Sequence, residues 1–377
     1  MSRRTAIVHV GLEKTGSTAI QHWLAAHRAQ LLARGILVPT RIGAPNHTKL
    51  VAACLDDGVV DSLKRHQLAR GNVGEGDLRA DVARALGREL KAARGWDRLV
   101  ITSELISSRL HAPSEIDRLV SFLRRHVDDI HFVIVLRRQD ELALSRFSSA
   151  LRAGHADFDG VFADLSGNSF FALPQGRVVD DALEFFDYER IISRFTRIAD
   201  ARLTVLSYDP PGGSPGPVRA LCEVLGLPAA DAAAVPVLNS ALSAEAQFVI
   251  SQLNRRNGVW LPGGKRNKPY RALLGRIEAE VAGEKRTVPR AEAEAFLARY
   301  EAANARIADA WFPRGRPFRD GFERYPTTID YRPMMTRMAP ALERWQAEAA
   351  AIAQNPGPSS GFWRALWRTL PLPGQTR

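Results

Sequence analysis

Residues 5–18 read TAIVHVGLEKTGST, from Thr5 to Thr18, and the order of residue types in this stretch decides the fold. Thr5 to Val10 is a β-branched run of the kind that makes a buried strand. A glycine-containing loop follows it, and then Ile20, Trp23, Leu24, His27 and Leu31 recur at helical spacing. The succession is strand, loop, helix. In that setting the free N–H groups of the first helical turn point at one place and the helix dipole adds positive potential, so the loop is read as an anion site.

The same alternation continues outward. Gly35 stops the first helical pattern, and Ile36 to Pro39 reads as a short strand before a polar loop that contains Asn46 and His47. Leu99 to Thr102 (LVIT), Ile130 to Leu136 (IHFVIVL) and Leu203 to Tyr208 (LTVLSY) are further buried strands. Helical patterns lie between them at Glu115 to Val127, Asp140 to Arg152 and Val218 to Leu225. This order predicts an α/β fold, a P-loop-type parallel sheet flanked by helices on both faces. From Asn239 to Pro313 the pattern is helical, with a helix starting at Asn239-Ser240-Ala241-Leu242-Ser243 and a basic turn at Gly263 to Arg266. The last segment, from Asn355, is rich in Pro, Gly and Ser and ends in FWRALWRTL. There Phe362, Trp363, Leu366, Trp367 and Leu370 share a helical face, with Arg364 and Arg368 elsewhere. Such a segment suits a membrane interface or packs back onto the domain. The expected organisation is an α/β core over 1–235, a helical region completing it over 236–354, and a linker with an aromatic and basic tail over 355–377.

Composition narrows the classes. The chain has 377 residues, 45% hydrophobic and 25% charged, which is the balance of a soluble globular protein with one large core. Its net charge of +11 rests on 45 arginines against 7 lysines, so it weighs little for nucleic acid and more for a small, highly anionic ligand. Cys54 and Cys222 have no CxxC or Cys/His spacing, which indicates neither a disulfide framework nor a zinc site. Glu13 and Lys14 end the first apolar stretch too early for a signal peptide, and no apolar run reaches the roughly 20 residues of a membrane span. The expectation is a cytoplasmic protein, peripheral to the membrane if the tail binds one, with no nucleic acid partner.

The loop itself departs from the nucleoside triphosphatase pattern. GxxxxGK[ST] puts a lysine after the second glycine, whereas here Ser17 has that place and Lys14 stands inside the loop, three residues after Gly11. No strand ends in an Asp suited to Mg²⁺, so the site is read as built around a lysine, without a metal. A transferring sulfuryl group carries less negative charge than a phosphoryl group, and one lysine with a ring of backbone donors suits it. Lys14-Thr15-Gly16-Ser17-Thr18 after a strand resembles the phosphosulfate loop of the sulfotransferases that use 3'-phosphoadenosine 5'-phosphosulfate (PAPS), with Glu13 where the usual form has a proline. Arg137 at a strand end and Ser145 eight residues later, in VIVLRRQDELALSRF, resemble the 3'-phosphate site of that family. Tyr208 resembles its tyrosine near the adenine ring.

The resemblance covers roughly the first 230 residues. It implies that Lys14, Thr15, Gly16, Ser17, Thr18, Arg137, Ser145 and Tyr208 bind PAPS as donor, that the bisphosphate PAP is the product, and that Lys14 stabilises charge on the leaving 5'-phosphate. Without the resemblance, Arg137 and Arg138 read as surface charges beside Asp140 and Glu141, and Tyr208 as a core or rim residue.

Transfer to an acceptor needs a base. Glu104 follows the strand LVIT, at a position where open α/β sheets place chemistry, and His47 lies in the polar loop Pro45-Asn46-His47-Thr48. Either serves, with the other orienting the acceptor. His9, inside the first strand, reads as a core residue. Gly263-Gly264-Lys265-Arg266 is read as a solvated turn, with a basic lid over the nucleotide as the other reading. The expected activity is sulfuryl transfer from PAPS to a hydroxyl or amine of a small-molecule, carbohydrate or lipid-linked acceptor. The alternatives are an ATP-dependent P-loop kinase and a non-enzymatic binder of anionic membrane or nucleic acid. Acceptor identity and oligomeric state are open.

Overall fold

The computed structural model describes residues 3–59, 61–156, 158, 185–213, 216–232, 242–261, 265–313 and 315–354. The apolar runs form the strands β1 (Thr5–Gly11), β2 (Ile36–Leu37), β3 (Arg98–Thr102), β4 (Asp129–Leu136) and β5 (Ala201–Ser207). They make one five-stranded sheet in the order β2-β3-β1-β4-β5, and every pairing is parallel. In register, Ala6 of β1 lies opposite Leu99 of β3 and Ile130 of β4. Both faces of the sheet are covered, as a parallel sheet requires.

Helices α1 (Ser17–Ala26), α2 (Arg28–Ala33), α3 (Thr48–Cys54), α4 (Ser62–Gly71), α5 (Glu75–Ala92), α6 (Leu105–Arg109), α7 (Pro113–Arg124), α8 (Gln139–Arg152), α9 (Tyr188–Thr196) and α10 (Pro217–Val224) fill the connections between and after the strands. The side-chain alternation of the strands divides the core in two. Ile7, Val100 and Val133 pack with Ile20, Trp23, Leu24 and Leu31 of α1 and α2 and with Val218 and Leu221 of α10. Ala6, Val8, Leu99, Ile101, Phe132 and Ile134 pack on the other face with Leu50, Leu86, Leu119 and Phe195 of α3, α5, α7 and α9. The first helical pattern breaks at His27, whose ring stacks on Trp23 at 5.0 Å and whose Nδ1 donates to the Trp23 carbonyl (2.9 Å), so two helices stand where the spacing predicted one.

The described residues fall into two compact units, those of 1–147, 160–241 and 287–329 and those of 148–159, 242–286 and 330–377. The first holds the sheet, and also α13 (Arg290–Ala298) and α14 (Glu301–Trp311). The second is helical, with α11 (Ala244–Asn254), α12 (Lys268–Glu280) and α15 (Arg332–Gln354). In it Asn254 donates to the carbonyls of Leu151 and His155 and accepts from the Tyr270 hydroxyl, which satisfies a buried amide. Ser243 caps α11 through Ala246 N–H (3.0 Å).

Of the expected turn Gly263 to Arg266, Lys265–Arg266 forms a short strand, β7, antiparallel to β6 (Trp260–Leu261). The apolar pair before Pro262-Gly263-Gly264 is the hairpin signal that the helical pattern around it obscured. Residues 262–264, the expected helix start Asn239-Ser240-Ala241, and the tail with Phe362, Trp363, Arg364, Leu366, Trp367, Arg368 and Leu370 lie outside the described residues. No helix among the described residues is long and apolar enough to cross a membrane.

The strand order fixes where a ligand goes. From β1 the chain turns toward the β3-β2 side, and from β4 toward β5, so the carboxyl ends of β1 and β4 flank a topological switch point.

Candidate active site

The loop between β1 and α1 opens at that point. Leu12 N–H donates to the Val135 carbonyl (3.1 Å), which holds the loop against β4. Two positions need glycine. Gly11 has φ 107°, and a Cβ there would stand 2.9 Å from Glu104 Cα; Gly16 has φ 83°, and a Cβ there would stand 2.4 Å from Pro217 Cγ. Lys14 is also left-handed, at φ 64°. Successive N–H groups in such turns converge and form an anion-binding concavity. Gly16 gives α1 no side-chain cap, and the first turn of α1 carries no acidic residue, so its N–H groups and positive dipole end face the loop. Thr15 Oγ1 and Ser17 Oγ both donate to the Leu12 carbonyl (2.7 and 2.9 Å). Their hydroxyl protons therefore brace the loop, and the cradle is formed by backbone N–H groups. Thr18 sits half-buried in the first turn of α1.

Arg137 leaves the end of β4 and joins this loop, because its Nη1 donates to the Lys14 carbonyl (3.1 Å). Its guanidinium lies 4.9 Å from the centre of the Tyr208 ring, and Tyr208 N–H donates to the Leu136 carbonyl (2.7 Å). Lys14, Gly16, Arg137 and Tyr208 thus surround one place. Arg137 Nε is 3.4 Å from Glu141 Oε2, and Glu141 and Ser145 share a face of α8, four residues apart. Arg138 does different work. It is buried, forms a two-pronged pair with Asp140 (2.8 and 2.7 Å) and donates to the carbonyls of Arg319 and Gly321, while the Tyr325 hydroxyl also donates to Asp140. Arg324, which no sequence spacing pointed to, pairs with both Glu141 and Asp140.

Glu104 stands just after β3, against Gly11. Its two oxygens are held from opposite sides, Oε2 by Gln21 Nε2 of α1 (2.6 Å) and Oε1 by Asn46 Nδ2 (2.8 Å). Burial pushes this carboxyl above its ordinary value and the charge of Glu13 adds to the push, while hydrogen bonds, including those from Gln21 and Asn46, oppose it. A carboxylate so placed is a stronger base than an exposed one.

His47 is fully buried. Its Nδ1 accepts from Thr102 N–H (3.0 Å) and its Nε2 donates to the Pro39 carbonyl (2.8 Å), which leaves neither nitrogen for a substrate proton. Burial lowers it to about 4, so it is neutral and pins the 39–48 loop to the end of β3. His9 is likewise buried, bonded to Thr102 Oγ1 and lowered by burial to about 4. Among the described residues no group of three or more His, Cys, Asp or Glu is gathered as for a metal ion.

No family model and no curated protein matches the chain. Among solved structures it is similar to a sulfotransferase from Alicyclobacillus acidocaldarius. The identity is 14% and the TM-score 0.37, with 67% of this chain and 92% of that one covered. A likeness of that degree transfers no residue role.

Proposed function

We propose that this chain is a PAPS-dependent sulfotransferase. The observation that carries the reading is the joining of three strand ends. The lysine loop after β1 is tied to Arg137 after β4, and a buried, clamped carboxylate after β3 stands against the first residue of that loop. The donor fits the residues present. A concavity that would close on any side chain at Gly16, an uncapped helix start and an arginine fork beside an aromatic ring suit a nucleotide with two separate anionic groups. Bound there, the donor supplies the sulfuryl group. Lys14 and the loop N–H groups hold the 5'-phosphate and stabilise the charge that collects on it as the S–O bond breaks. Arg137 and Ser145 hold the 3'-phosphate, and Tyr208 lies beside the base.

Glu104 takes the proton from the acceptor hydroxyl or amine as the new bond to sulfur forms, giving a sulfate ester or sulfamate and the bisphosphate. His47, the other candidate base, neither takes the proton nor orients the acceptor, because both its nitrogens are committed to backbone; it fixes the loop that carries Asn46. The acceptor is a small-molecule, carbohydrate or lipid-linked hydroxyl or amine. Transfer of label from ³⁵S-PAPS to a panel of such acceptors tests the reading. Lys14→Ala is expected to lower turnover about 10²–10³-fold with an unchanged thermal transition. Turnover at the parent rate in Lys14→Ala would remove the lysine from the reaction.

A further inference from the structure

The surroundings of Glu104 are ordered by polarity. Ser103 Oγ, on a fully buried side chain, donates to Asn46 Oδ1 (2.6 Å). With its oxygen so engaged, Asn46 can turn only its NH₂ toward Glu104. Gln21 also presents an NH₂, to the other carboxyl oxygen. These two side-chain donors, together with the backbone N–H of Glu104 itself, favour its ionised form, since a proton on the carboxyl would meet an N–H. The Asn46 backbone is itself fixed, because its neighbour His47 bonds Thr102 and Pro39 through both ring nitrogens.

We propose that Ser103 and Asn46 are positioning residues, a two-step relay of fixed hydrogen-bond direction that presents Glu104 to the acceptor as an acceptor-only carboxylate. The inference rests on the reading of Glu104 as base. The relay acts against two opposing influences, burial of the carboxyl and the charge of Glu13 on the loop. Several other charged groups on the elements around Glu104 have partners of their own. Arg109 of α6 is paired with Asp61, Arg194 of α9 donates to the Ser107 carbonyl, Lys49 of α3 is paired with Asp81, and His47 is neutral. Lys14 is the remaining charged group on the loop, and in the proposed reaction it serves the donor.

Without the Ser103 hydroxyl, Asn46 is free to turn its carbonyl to Glu104, which accepts from the protonated carboxyl and stabilises the wrong form. The base is then lost on the acid side of the profile and regained on the alkaline side. A residue that only supported the fold would lower turnover at every pH.

The experiment uses the full chain, ¹³C-labelled at glutamate carboxyls, with Glu104→Gln assigning the Glu104 resonance. Its titration and the pH–rate profile are recorded for the parent, Ser103→Ala, Asn46→Ala and Ser103→Thr. The proposal expects the Glu104 midpoint to rise in Ser103→Ala and in Asn46→Ala and to return toward the parent in Ser103→Thr. It also expects kcat to fall about tenfold on the acid limb, to recover at alkaline pH, and KM for PAPS to stay near the parent value. An unmoved midpoint in both alanine variants overturns the relay. A midpoint that moves while Glu104→Gln keeps its turnover leaves the relay standing and overturns Glu104 as base, so the two failures are separable. Asn46→Ala keeps the test open if Ser103→Ala fails to fold.

Discussion

At the scale of single residues, the site depends on groups held in unfavourable states. Lys14 has a left-handed backbone, and Glu104 is a carboxylate pushed up by burial. The second has a thermodynamic consequence with a definite sign. Below the ordinary carboxylate value Glu104 is protonated in both folded and unfolded chains. As pH rises past that value, the unfolded chain releases the proton first, and the folded state is penalised until pH exceeds its own raised value. The stability of the parent relative to Glu104→Gln is therefore expected to fall with pH across this window and then level off. Denaturant titrations of both proteins from pH 4 to 8 measure it, and a difference that rises with pH would contradict the assignment. The place of Lys14 and Gly16 in the loop could be read from residue type and spacing, whereas Arg137 was singled out only through the family resemblance and otherwise reads as a surface charge. Gln21, Asn46 and Ser103 were not singled out as the groups that hold Glu104. A polar residue in a loop or on a helix gives no sign of which carboxylate it will meet, although Gln21, four residues after Ser17, shares its helix face.

Among the elements, α8 carries an ion-pair arrangement that bears on donor binding. Glu141 lies beside Arg137 at 3.4 Å and is also paired with Arg324, which is 41% exposed. Arg324 thereby draws the carboxylate away from the arginine assigned to the 3'-phosphate. Arg324→Ala is expected to weaken bisphosphate binding and Glu141→Gln to strengthen it, each by up to about fivefold, since partly exposed pairs are worth about 1 kcal/mol or less. Titration of each variant with adenosine 3',5'-bisphosphate reads the change, and tighter binding in Arg324→Ala would refute the arrangement. Element legibility followed burial. The strands were readable because parallel strands are continuous apolar runs. The helices α3 to α5 were not, because ion pairs join them as well as apolar stripes. Lys64, buried in α4, is bound to Glu75, and Asp61 at the start of α4 is bound to Arg109. Arg324 sits 183 residues from Glu141, beyond any local pattern.

On the scale of the whole molecule, the order β2-β3-β1-β4-β5 brings together residues 14, 104, 137 and 208 at the carboxyl ends of four adjacent strands. The alternation of strands and helices predicted this sheet, and the sheet's direction marks the end at which the candidate site is placed. The return of 287–329 to the unit that holds the sheet had no sequence signal, because helices such as α13 and α14 read alike whichever unit they join. The central claim is that the crevice at the ends of β1 and β4 holds an adenosine bisphosphate rather than a nucleoside triphosphate. Calorimetric titration with adenosine 3',5'-bisphosphate, compared with ATP and Mg²⁺ and repeated on Arg137→Ala, tests it most directly. The account predicts saturable bisphosphate binding that weakens about 10- to 100-fold in the variant, as loss of a charge-assisted fork implies, with little response to ATP. Preferential binding of ATP with Mg²⁺, or bisphosphate binding unaffected by Arg137→Ala, would contradict it.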